Sequence, residues 1–171
     1  METSSVMHFK NRVYELPAQL EKPILLAWKL NSPGNYGNLI RLAASIGCRK
    51  LYFVKGETVP SERKIRKTAG DNYNKTDHEL IDEESIFDMI PKDYTWVALE
   101  TVSGSENIYE SKLPANMVLV VGNEKHGIEA SALARCEMLV HIPLTGSCTS
   151  LNVSHAAAIG LFEWLRQRMQ F

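Results

Sequence analysis

Three short stretches combine glycine with asparagine, glutamate or serine: NYGNLIR at 35–41, GNEKHGIEAS at 122–131 and IPLTGSCTSLN at 142–152. Each lies beside an apolar run of strand length, the clearest being MVLVV at 117–121. Glycine at such a junction lets the backbone approach a ligand closely or adopt a positive φ. Asn and Glu side chains add hydrogen bonds to sugar hydroxyls or to neighbouring backbone amides. Together these residue types support recognition of a polar small molecule in a pocket lined largely by backbone. Any one of the loops also reads as an ordinary turn or helix cap, because Gly and Asn are standard turn residues. Three of them at strand ends favour a shared pocket.

The loops need elements to position them. Apolar runs at 24–30, 51–54, 95–99, 117–121 and 139–142 alternate with segments of helical period at 36–46, 61–69, 83–90, 128–136 and about 151–168. This alternation predicts an α/β domain with a mostly parallel sheet and helices on both faces. Strands of such a sheet are covered on both sides and so read as unbroken apolar runs. Ligands of parallel sheets bind beyond the carboxyl ends of the strands, where helix N-termini point their free N–H groups. All three loops fall at such ends. Residues 1–22 are read as a lead-in, with a short helix ending at Pro17, and 23–171 as a single domain.

Composition narrows the classes. A chain of 171 residues can bury one sizeable core but not two comfortable domains. Its 44% hydrophobic and 23% charged residues are ordinary for a globular protein. The formal net charge of -1 gives no whole-molecule attraction to a polyanion, so any nucleic-acid contact must be local. Cys48, Cys136 and Cys148 lie far apart, with neither a C-x-x-C pair nor an even disulfide framework, and read as reduced thiols in the cytoplasm. His8, His78, His126, His141 and His155 have no metal-ligand spacing, so no metal is expected; His126 alone sits inside one of the three loops. No segment approaches the roughly 20 apolar residues that cross a bilayer, and the first residues lack the apolar core of a signal peptide. Neither G-x-G-x-x-G nor G-x-x-x-x-G-K-[ST] occurs, so dinucleotide and phosphoryl-transfer chemistry lack their usual loops.

In order and spacing, NYGNLIR at 35–41, VVGNEKHGI at 120–128 and IPLTGSCTSLNVSHAAAI at 142–159 resemble the three motifs of the SpoU/TrmH branch of the SPOUT RNA 2′-O-ribose methyltransferases. The resemblance runs over roughly 23–168. It implies a deep trefoil knot near the C-terminus and S-adenosylmethionine bound in the knotted loops. The positions carried over for the cofactor are Leu99, Glu100 and Thr101, then Gly122, Asn123 and Glu124, then Ile142, Ser150 and Leu151. Those carried over for catalysis are Arg41, Asn35, Glu124, Ser150 and Asn152.

Within that resemblance Arg41 is the residue expected to act on the ribose hydroxyl. Arginine is a poor base, so it either stabilises the developing alkoxide or holds an adjacent phosphate. Asn35 is expected to orient Arg41 or its loop, or to cap the helix. Glu124 is expected to anchor the third loop or to bind the substrate ribose. Ser150 and Asn152 are read as caps of the last helix that also face the cofactor. Arg63, Arg66 and Lys67, spaced i, i+3 and i+4 with Lys64, Tyr73 and Lys75 nearby, make a candidate RNA-binding patch. The helix that holds AAAIGLFEWL at 156–165 is apolar almost all round and must be buried on more than one side. The family's habit makes part of that surface a homodimer interface. The substrate expected is RNA, transfer RNA ahead of ribosomal RNA, chosen by the catalytic domain, its dimer surface or a partner. A knotted module that binds the cofactor without catalysis is the competing class.

Overall fold

A run of apolar residues makes a stable strand only if both of its faces are covered, and the computed structural model, which describes residues 20–58 and 60–169, covers them in two layers. The seven strands are β1 (Ile24–Trp28), β2 (Lys50–Val54), β3 (His78–Ile81), β4 (Thr95–Leu99), β5 (Glu106–Asn107), β6 (Met117–Val121) and β7 (Met138–His141). They form one sheet in the order β3-β2-β1-β6-β4-β7-β5, and every pairing is parallel. The helices are α1 (Pro33–Ile46), α2 (Glu62–Ala69), α3 (Asn72–Lys75), α4 (Glu83–Met89), α5 (Ala130–Leu133) and α6 (Val153–Arg166).

Successive strand side chains point to opposite faces. Leu25, Ala27, Phe53, Leu119 and Val121 face one way and pack with Leu39 and Ile40 of α1, Ile65 of α2, and Ala157, Leu161 and Trp164 of α6. Leu26, Trp28, Val118 and Val120 face the other way, toward Ile86 of α4 and Ala132 of α5. From β1 the chain builds outward through β2 and β3 on one side, while β6, β4 and β7 lie on the other. Such a reversal opens a crevice at the carboxyl ends of the central strands.

Two connections shape that crevice. Helix α1 crosses α2 so closely that a Cβ on Gly37 would stand 2.4 Å from Thr68 Cβ and 2.9 Å from the Ala69 backbone nitrogen. Gly37, although inside the first motif, therefore serves helix packing. The second connection, 100–116, leaves β4, adds β5 at the sheet edge and returns past the end of α6. There Trp164 Nε1 donates to the Pro114 carbonyl at 3.0 Å, Leu113 N donates to Gln167 Oε1 at 3.0 Å, and Gln167 Nε2 donates to the Ser111 carbonyl at 2.9 Å. The knot implied by the resemblance would draw 142–152 through this excursion.

Several expectations need correction. The helix expected at 128–136 is the single turn α5, because the amides of Arg135 and Cys136 bond three residues back, to Ala132 and Leu133, and close the helix into a turn. Helix α1 begins earlier than expected, with Pro33 at its first position, where a missing N–H costs nothing. Strands β3 and β5 lie at the sheet edges, are only partly buried and lack an apolar run, so periodicity passes over them. The lead-in, with its helix ending at Pro17, lies almost wholly outside the described residues. Among the described residues no helix is long and apolar enough to cross a membrane.

Candidate active site

The loops after β4, β6 and β7 meet in one cavity of about 460 Å³. Leu99, Glu100 and Thr101 line it from the first of these loops, Gly122, Asn123 and Glu124 from the second, and Ile142, Ser150 and Leu151 from the third. All the positions carried over for the cofactor thus share one space, but the first of the three glycine-bearing stretches, 35–41, does not line it; the loop after β4 supplies the remaining wall.

The second loop owes its shape to backbone contacts. Asn123 and Gly127 exchange N–H to carbonyl hydrogen bonds at 2.9 and 3.0 Å, with Gly127 at φ +67°. The Asn123 carboxamide oxygen accepts from the amides of Lys125 and His126 at 2.9 and 3.2 Å, and its NH2 donates to the Lys29 carbonyl. Lys29, with φ +48°, is the one non-glycine residue of positive φ among the described residues, so Asn123 holds the turn out of β1 at a strained point. A Cβ on Gly122 would stand 2.2 Å from the Gly127 carbonyl carbon. The loop is folded onto itself through that glycine.

Glu124 joins this loop to the start of α1. Its carboxylate accepts from the backbone N–H groups of Asn31 and Ser32 at 3.0 and 2.9 Å and from the Asn35 NH2 at 2.8 Å. No side chain of α1 caps the helix, so the carboxylate from a distant loop takes that place, at the end where the helix dipole favours an anion. Partial burial by itself raises the carboxyl group's pKa; the donors from Asn31, Asn35 and Ser32 outweigh it and hold the group below the usual carboxylate range. A carboxyl lowered by folding stabilises the native state at pH above its unfolded value, about 4.3, and that contribution is lost as pH falls through the lower folded value. Melting temperatures of the protein and of Glu124→Gln should differ most near neutrality and converge under acid conditions. A difference that persists unchanged at low pH would contradict the assignment.

Asn35 carries the link onward. Its carboxamide oxygen accepts from the Asn152 NH2 at 3.0 Å, and the Asn152 oxygen caps α6 by accepting from Ser154 N at 2.9 Å and from its hydroxyl at 2.7 Å. Glu124, Asn35 and Asn152 therefore form one chain of hydrogen bonds from the second loop through α1 to the third. Glu124 anchors the turn between β1 and α1 directly and reaches the loop after β7 only through Asn35. Asn35 sits inside α1, so it is not that helix's cap, and its partners are Glu124 and Asn152.

Arg41 is placed apart. Six residues beyond Asn35, it lies roughly 9 Å further along the axis and some 240° round it. It is exposed, does not line the cavity and has no ion-pair partner among the described residues. Ser150 lines the cavity but does not cap α6, since the cap position is Asn152 two residues on; His126 does not line the cavity. On α2, Arg66 is engaged: its guanidinium lies 4.0 Å over the Tyr73 ring and bonds to Glu62 at 2.8 Å and to Asn74 at 3.2 Å. Arg63 and Lys67 are exposed, without ion-pair partners among the described residues.

Sequence reasoning passed over His141, Leu144 and Gly127, all of which line the cavity. The His141 ring nitrogen Nδ1 lies 3.0 Å from Ser105 Oγ, whose hydroxyl donates to the Val102 carbonyl at 2.8 Å. This contact ties the end of β7 to the loop after β4. The place of His141 at the end of β7 was the available signal. Leu144 and Leu151, 39% and 38% exposed, give the polar cavity an apolar side.

A parallel α/β sheet with a backbone-lined cavity beyond its central strands defines a small-molecule-binding α/β protein. The model of the SpoU rRNA methylase family matches residues 22–162, and the chain belongs to that family. Among curated relatives, the 23S rRNA (guanosine-2′-O-)-methyltransferase RlmB of Haemophilus influenzae is 32% identical over 178 aligned positions, covering 94% of this chain. The chain spans 66% of that relative's length. A structure described as giving insight into 2-OH methylation of C/U34 on tRNA superposes with a TM-score of 0.76 and 26% identity, over 85% of this chain and 95% of that one. The SpoU methyltransferase AviRb of Streptomyces viridochromogenes, solved with AdoMet, shares the fold with a TM-score of 0.76 and 24% identity, over 90% of this chain and 60% of that one.

Proposed function

We propose that the protein is an S-adenosylmethionine-dependent methyltransferase that modifies a ribose 2′-hydroxyl of RNA, with transfer RNA as the substrate class. The observation that carries this reading is the convergence of three loops, distant in sequence, on a single cavity. Its volume lies within the range of small-molecule sites, and Gly122 lets the 127–128 peptide fold against the base of the loop that lines it, where a side chain would clash. Loops with a free polar backbone and the apolar Leu144 and Leu151 suit a ligand with ribose hydroxyls, a charged tail and a flat ring. The tRNA-methylation structure, covered over most of its length, supports transfer RNA. The RlmB relative supports ribosomal RNA as the second reading.

When bound, the cofactor supplies a methyl carbon carried on a positively charged sulfur. Glu100, Gly122, Asn123, Ile142 and Leu151 would hold that donor beyond the strand ends, and the proton of the ribose hydroxyl would pass to solvent or to an adjacent RNA phosphate. The protein contributes position and charge. The Glu124–Asn35–Asn152 chain fixes the second and third loops against α1. Arg41 stabilises the developing negative charge or holds the neighbouring phosphate; a guanidinium is a poor proton acceptor. Arg63 and Lys67, exposed and without ion-pair partners among the described residues, offer cations to the RNA backbone.

The quaternary proposal is a homodimer built on the outer side of α6. His155, Ala158, Ile159, Phe162 and Leu165 run along that side, and Phe162 is 51% exposed. Light scattering should return twice the 19.3 kDa mass of one chain; a single-chain mass would remove the dimer.

The function is tested by incubating the protein with methyl-labelled S-adenosylmethionine and, separately, transfer and ribosomal RNA. A methylated 2′-oxygen cannot attack its neighbouring phosphate, so label should survive alkaline hydrolysis in dinucleotides from transfer RNA. Label in ribosomal RNA alone would move the protein to the second reading. Label recovered on a base, or none in either RNA, would overturn the proposal.

A further inference from the structure

Glu100 stands at the carboxyl end of β4 with a carboxylate that is already engaged on both oxygens. One oxygen accepts from the Thr101 amide and the other from the Ile128 amide, each at 3.0 Å. Its own backbone is fixed as well, because Glu100 N donates to the Val140 carbonyl at 2.9 Å. The second bond crosses from the loop after β4 to the loop after β6, two of the three walls of the cavity.

Glycine makes this contact possible. A Cβ on Gly127 would lie 2.4 Å from the Glu100 oxygen that accepts from Ile128. On the other side of the same peptide, a Cβ on Gly122 would lie 2.5 Å from Ile128 N. The Gly127–Ile128 peptide is thus gripped between the bare α-carbon of Gly122 and the carboxylate of Glu100. A carboxylate that accepts amides from two loops, one on each oxygen, is a strong brace for the loops that hold the ligand.

We infer that Glu100 is a positioning residue for the methyl donor: its carboxylate sets the height of the 122–128 loop over β4, and through it the shape of the cradle. The inference rests on the cavity being the cofactor site. Glutamine has only one oxygen to offer, so it leaves one of the two amides facing an NH2 group. Alanine leaves both without an acceptor.

Isothermal titration of the full chain with S-adenosylmethionine tests the idea, together with steady-state kinetics and melting temperatures. Glu100→Ala should weaken cofactor binding roughly tenfold or more, as the loss of charge-assisted hydrogen bonds suggests, with Glu100→Gln between it and the parent. The KM for cofactor should rise accordingly, while kcat at saturating cofactor stays within about threefold and melting falls by only a few degrees. Gly127→Ala should weaken binding in the parent more than it does in the Glu100→Ala background, where the carboxylate it would strike is gone. Unchanged affinity in Glu100→Ala, or a loss of affinity explained by a matching loss of fold, would overturn the inference and leave the cofactor site standing. Failure of the parent protein to bind the cofactor would sink both.

Discussion

Gly122→Val abolishes S-adenosylmethionine binding at any practical concentration: the dissociation constant should rise at least roughly a hundredfold, about 2.7 kcal/mol. The valine Cβ would need the space of the Gly127 carbonyl carbon at 2.2 Å, of Ile128 N at 2.5 Å and of the Gly127 oxygen at 2.6 Å. All three are backbone atoms, so no side chain can swing aside. The loop must open, and opening breaks the Asn123–Gly127 pair of hydrogen bonds and the Ile128 amide's bond to Glu100. Some stability is lost as well, because overpacking typically costs 1–3 kcal/mol. Circular dichroism should nevertheless report a folded chain, since the core layers lie below the loop. Titration that returns a constant within about threefold of the parent would mean that the cofactor does not use this cradle.

Arg41→Ala should leave cofactor affinity within about twofold and reduce transfer by roughly a thousandfold, about 4 kcal/mol of transition-state stabilisation. The split follows from its placement. Arg41 is exposed, outside the cavity and free of ion pairs among the described residues, so its loss disturbs neither fold nor pocket. Transfer at near the parental rate would remove Arg41 from the chemistry. A mixing experiment shows where it acts. Arg41→Ala and Gly122→Val proteins are each inactive alone in this account. If the guanidinium serves the cavity of a second copy, a mixed dimer holds one intact cavity faced by one intact Arg41, and activity returns on mixing. If it serves its own cavity, no mixture is active.

The two-layered sheet was legible because its central strands are apolar on both faces, and no other arrangement hides Leu25 and Leu26, or Leu119 and Val120, at once. Two cavity walls, at 122–127 and 142–152, were legible because their glycines and polar residues stand at strand ends in the family's order; the stretch 35–41 carries the same signal yet lies outside the cavity, and the wall after β4 followed from the resemblance alone. What was not legible depends on partners far away in sequence. Glu124 meets Asn35 across 89 positions and Asn35 meets Asn152 across 117, so no local pattern reveals that the three form one chain. Gly37 misled for the same reason: its motif suggests a ligand, but the atom that forbids a side chain there belongs to Thr68 of another helix. Arg66 looked like a free cation by helical spacing, yet Tyr73 and Asn74, from the turn that follows, occupy it.

The hydrogen-bond chain through Asn35 also has a bearing on synthesis. Ribosomes deliver Asn35 first, Glu124 much later and Asn152 last of the three, so the partners of a single amide side chain arrive far apart in time. Until the last of them emerges, the start of α1 is held from one side only. A nascent polypeptide halted before Asn152 would display much of the sheet without a competent pocket, and the growing protein gains its grip on the methyl donor only once Asn152 has emerged.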